Sequence, residues 1–125
     1  PDLLDLPSSK EEARETIVYV YLNYVRYCRE LGVEFMAGYY TPKNQALNPV
    51  IRTERPYPII TVQTYLEKAV AAGTITLPYS LEEITADIRM IVIGNVFEWC
   101  MRDGKVDFEG NMSRSLSAYL DGILI

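Results

Sequence analysis

From Ser80 to Arg102 the apolar residues fall on two sides of one helix. At roughly 100° per residue, Ile84, Ile88, Ile91, Val92, Val96 and Trp99 share one side. Ala86, Met90, Ile93, Phe97 and Met101 lie nearly opposite. Glu82 and Arg89 mark one polar seam between the two stripes, Asp87 and Glu98 the other. One stripe is enough to attach a surface helix to its own core. The second needs a further partner, either more of the same chain or another copy of it.

The remaining pattern is also helical. Ser9-Lys-Glu-Glu12 reads as a capping box, with acids in the first turn where they complement the helix dipole. The helix it opens runs to about Leu31 and stops at Gly32. Its core stripe is Ile17, Tyr21, Tyr24, Cys28 and Leu31, widened by Val18, Leu22 and Val25. A short helix follows over Val33–Tyr40, and Thr41-Pro42 starts another that ends near Arg52. Pro56 and Pro58 mark a boundary. Ile59, Val62, Tyr65, Leu66, Ala69 and Val70 then trace a helix to Ala72, closed by Gly73.

Thr74–Pro78 is the one β-like fragment; between Gly73 and the Ser80-Leu-Glu-Glu83 capping box it reads as a loop. The long helix from Leu81 ends at Gly104. Asp107 caps the last one, which carries Phe108, Met112, Leu116, Tyr119, Leu120 and Ile123 beside a small-residue edge of Gly110, Ser113 and Ser117. The expected fold is a single all-α domain over residues 1–125, a bundle of about five or six helices. Residues 1–8, with no helical start signal, are expected to lead in from a longer chain.

Composition narrows the function classes. The 125 residues suit one domain with a proper core. No apolar run approaches the roughly 18 residues of a membrane span, and no signal-peptide pattern opens the chain, so the expected compartment is the cytoplasm. A formal net charge of −5 without a dense basic cluster argues against nucleic acid on this domain itself. Cys28 and Cys100 sit inside apolar helical patterns and read as buried thiols, with a disulfide or a reactive thiol as the alternatives.

Candidate chemistry is sparse. The chain has no histidine, which removes the commonest general base and metal ligand. Glu11-Glu12 and Glu82-Glu83 lie in first helical turns, no serine or cysteine has an activating base, and no phosphate-cradling or metal-ligand spacing occurs. The expectation is a non-enzyme without cofactor or metal.

Tyrosine stands out, with 10 copies against three phenylalanines. Aromatic walls with a few placed polar groups suit a small-molecule pocket. Tyr24, Tyr27, Met36, Tyr39, Tyr40 and Tyr65 fit that description if their helices converge, with Ile88 and Trp99 on the long helix as further wall. Asn95, an amide on an otherwise apolar stripe, must find hydrogen bonds; it either bonds a neighbouring helix or points into that pocket. The second stripe, Met90, Ile93, Gly94 and Phe97 with Leu116 and Tyr119, is the expected homodimer interface. The competing expectation is that the last helix covers it.

The segments Glu67-Lys-Ala-Val-Ala-Ala-Gly-Thr-Ile75 and Leu77-Pro-Tyr-Ser-Leu-Glu-Glu83 resemble the ligand-binding region of TetR-type transcriptional regulators. Ile93-Gly-Asn-Val-Phe-Glu-Trp99, Asp107 and Leu116-Ser-Ala-Tyr-Leu-Asp-Gly122 resemble that family's final two helices, which pair with their copies in a four-helix dimer interface. The resemblance spans residues from about 10 to 124 through loose motifs. It implies the effector-binding and dimerisation half of a repressor, sensing a small, partly apolar molecule. The family's basic helix-turn-helix domain is missing from this chain, so DNA would be met only through that domain. A helical protein–protein interaction domain without a small-molecule ligand is the alternative.

Overall fold

A computed structural model describes residues 5–39 and 58–124, with Tyr39 described by its backbone alone. The helix expected from Thr41 to Arg52, and Tyr40 before it, lie outside the described residues. Those described form five α-helices and no strand. They are α1 (Lys10–Leu31), α2 (Val33–Tyr39), α3 (Ile59–Ala71), α4 (Leu81–Met101) and α5 (Phe108–Ile123). The all-α bundle is the fold that the hydrophobic periodicity predicts.

The termini are set by local chemistry. The Ser9 hydroxyl accepts the Glu12 backbone N–H at 3.1 Å and opens α1, but the expected box is half-formed, because the Glu12 carboxylate accepts from the Ser8 hydroxyl at 2.7 Å instead of reaching back to the Ser9 backbone. Gly32, at φ +92°, turns the chain directly into α2. Beyond α3 the Gly73 N–H bonds the Val70 carbonyl and the Thr74 N–H reaches back to Ala69, both at 3.0 Å. This closure requires the left-handed backbone of Gly73, φ +78°. Ser80 and Glu83 form the complete capping box of α4. Asp107 caps α5 through its carboxylate, which accepts the Gly110 N–H at 3.0 Å.

Helix α4 is the hub, packing against α2, α3 and α5, while α1 packs against α2 and α5. Two cross-links show α4 and α5 running antiparallel: Asn95 to Ser115 and Asp87 to Tyr119. Helix α5 is likewise antiparallel to α1, with Arg14 paired to Asp121 at 3.2 Å and Arg29 to Glu109 at the other end. These ion pairs are exposed, so each contributes at most about 1 kcal/mol. Apolar burial does the larger share. Ile17, Tyr21 and Val25 of α1 meet Ile84, Ile88 and Val92 of α4 and Phe108, Met112, Leu116 and Leu120 of α5 in one core cluster.

Candidate functional site

The first stripe of α4 faces inward as its spacing predicts: Ile84, Ile88, Val92, Val96 and Trp99 are buried, and Ile91 is half-buried. The opposite stripe is left open. Met90 is 60% exposed, Phe97 40% and Met101 72%. Ile93 is half-buried beside them. At Gly94 an added Cβ would meet nothing within 4 Å.

Helix α5 approaches α4 along the side that carries Asp87 and Asn95, about a quarter-turn from the exposed stripe. It therefore does not cover that stripe. Among the described residues, Met90, Phe97 and Met101 form an apolar face directed away from the core.

Two of the expected interface residues are engaged within the chain itself. Leu116 is fully buried in the chain's own core and has no surface to offer a partner. Its position on the same α5 stripe as Phe108, Met112 and Leu120 is the physical reason. Tyr119 is half-buried in the α4–α5 seam, where its hydroxyl donates to Asp87 Oδ2 at 2.7 Å. Burial and the carboxylate beside it push the Tyr119 phenol well above its ordinary range.

Most of the expected pocket residues converge in the core. Tyr24, Met36, Tyr65, Ile88 and Trp99 all belong to the buried core cluster, and Tyr27 is half-buried against it. Trp99 stacks on Phe108, ring centroids 4.7 Å apart and planes 18° from parallel. Tyr65 is hydrogen-bonded to the Thr16 side chain, and burial raises its pKa. Tyr24 bonds the Cys28 side chain. Tyr39 closes α2, and its side chain lies outside the described residues.

Asn95 takes the first of its two readings. Its amide donates to the Ile91 carbonyl and to the Ser115 hydroxyl, each at 2.9 Å, so it joins α4 to α5. Sequence reasoning placed Asn95 on the right face but missed Ser115, because a lone serine on a helix carries no sign of which neighbour it will meet.

Both thiols are free. Burial pushes Cys28 up to about 12, helped by the nearby Cys100 and opposed by the bond from Tyr24. Cys100 is raised by burial as well. Neither is poised as a thiolate nucleophile at neutral pH. Among the described residues no group of His, Cys, Asp and Glu has a metal-holding arrangement. No helix of the described residues is long and apolar enough to cross a membrane.

A cleft of about 400 Å³ opens elsewhere, between the end of α3 and the start of α4, and was not anticipated from the sequence. Val70, Ile75, Leu77 and Leu81 wall it, with Glu67, Thr76 and Tyr79 at its polar side. A smaller one of about 210 Å³ lies by Lys10, Arg14 and Asp121, where Arg14 and Asp121 already satisfy each other.

Among the described residues the fold is an all-α helical domain whose α4 exposes an apolar face to solvent. No family model, curated protein or solved structure matches the chain.

Proposed function

We propose that this chain is the effector-binding and dimerisation domain of a TetR-like transcriptional repressor. In this reading two copies associate through α4 and α5, a small, partly apolar effector is sensed in the helical core, and DNA binding is controlled by a helix-turn-helix unit outside these residues. The observation that carries it is the apolar face of α4. Met90, Phe97 and Met101 stay exposed after every described helix has packed, and Gly94 leaves room between them for a second helix to approach closely. The sequence resemblance of residues 67–83 and 93–122 supplies the regulatory half.

Light scattering tests the association. A dimer is expected at micromolar concentration, converted to monomer by Phe97→Asp; a wild-type monomer at high micromolar concentration would overturn it. The effector half is tested by a thermal-shift screen of small apolar molecules against the intact chain, with a stabilising binder expected.

A second reading, a protein–protein interaction domain without a small-molecule ligand, draws support from the burial of Tyr24, Met36, Tyr65 and Trp99 in one hydrophobic cluster. A screen without any stabilising binder favours it.

A further inference from the structure

We propose that the cleft between the end of α3 and the start of α4 binds a small organic cation with an apolar body, of the arylalkylammonium kind. Its volume of about 400 Å³ falls within the range of small-molecule sites, roughly 300–1,000 Å³. The walls are held in place by structure on both sides. The Gly73 turn is closed by the bonds to Val70 and Ala69, Ile75 is 3% exposed and anchors the loop, and the Ser80–Glu83 capping box fixes the far edge. A ligand therefore finds the surface already ordered, which lowers the entropic cost of binding.

Val70 and Tyr79 leave large apolar surfaces facing solvent here, 41% and 58% exposed, that a hydrocarbon or aromatic body would cover. The charge of the ligand follows from the lining. Among the described lining residues Glu67 is the one carboxylate, and none is a lysine or arginine. Glu67 makes no side-chain hydrogen bond or ion pair with any described residue. An anionic ligand would meet that carboxylate with no cation among the described lining residues to offset it. A cation instead pairs with Glu67 and can lie against the Tyr79 ring. The formal net charge of −5 favours the same sign. Ile75 is shared with the Tyr24–Trp99 core, but Glu67, Val70 and Tyr79 lie outside it, so the inference does not rest on the regulatory reading.

The test is an amide-shift titration of the whole chain with benzyltrimethylammonium chloride, with 3-phenylpropionate as the anionic counterpart and sodium chloride as control. Saturating shifts are expected at Gly73, Ile75, Thr76 and Leu77 for the cation and none for the anion. Glu67→Gln should weaken binding about fivefold, and Val70→Arg, at an exposed position, should abolish it while leaving thermal unfolding unchanged. The proposal is overturned by unsaturable shifts spread over the surface, by equal response to both probes, by indifference to Glu67→Gln, or by saturating shifts at Tyr24 and Trp99 instead.

Discussion

Asn95 of α4 donates its amide to the Ser115 hydroxyl of α5 at 2.9 Å, and the Ser115 hydroxyl in turn donates a hydrogen bond to the Asn111 carbonyl at 2.7 Å. The amide thus ties two helices together across a half-buried seam. Replacing it by leucine removes the interhelical bond but leaves the Ser115 hydroxyl a partner. Asn95→Leu should therefore cost about 1 kcal/mol in urea unfolding. A double-mutant cycle with Ser115→Ala should return a coupling of similar size. Additive losses would show that the bond contributes nothing.

The seam's second link, Tyr119 to Asp87, involves a charged acceptor. Tyr119→Phe strips the half-buried carboxylate of its donor and should lower stability by about 1.5–3 kcal/mol. The loss should shrink to about 1 kcal/mol in an Asp87→Asn background, where the amide oxygen still accepts the hydroxyl but carries no charge. Chemical denaturation of the four proteins decides this.

Gly94 separates a free face from an occupied one. In a chain that stays single, Gly94→Ala relieves a flexible residue inside a helix and should stabilise by about 1 kcal/mol, since an added Cβ meets nothing. In a dimer with close approach at this point, the same methyl separates the helices and weakens association. Sedimentation equilibrium combined with thermal unfolding distinguishes the outcomes.

Stability should also fall on the alkaline side. Cys28 has an ordinary pKa of 9.0 and is held up to about 12 by burial. The folded state keeps this proton where the unfolded chain releases it. The stabilisation is complete below about pH 9 and is lost as pH rises toward 12, by up to about 1.4 kcal/mol per pH unit for this group. The raised phenols of Tyr65 and Tyr119 add to the same limb from about pH 10, their ordinary value. Urea midpoints between pH 7 and 11 should decline accordingly, and Cys28→Ala should flatten the first part of the decline. Alkylation of Cys28 in the native protein at pH 8 should be limited by unfolding.

Much of the fold could be read locally. The Ser9 and Ser80 caps, the Gly32 and Gly73 stops and the Asp107 cap are short-range chemistry, each complete within a few residues, and each stands where the spacing predicts. The candidate site was harder to read. Tyr24, Tyr65 and Trp99 were recognisable as a converging aromatic set, yet periodicity does not tell a cavity wall from a filled core. The cleft near Glu67 escaped notice because its walls come from a helix end, a loop and a helix start, with no shared period.

That this chain folds as helices, and that α4 carries two apolar stripes, follows from residues three and four positions apart and is legible without any long-range contact. What meets each stripe depends on how the helices pack together. Helix α5 settles against the Asp87 and Asn95 side, where Ser115 and Tyr119 supply hydrogen bonds, and buries Leu116 in the core instead of presenting it to a partner. Met90, Phe97 and Met101 are left facing outward by that choice of side. The side is set by long-range pairing between helices, where a half-buried amide and carboxylate must find partners that no local pattern names.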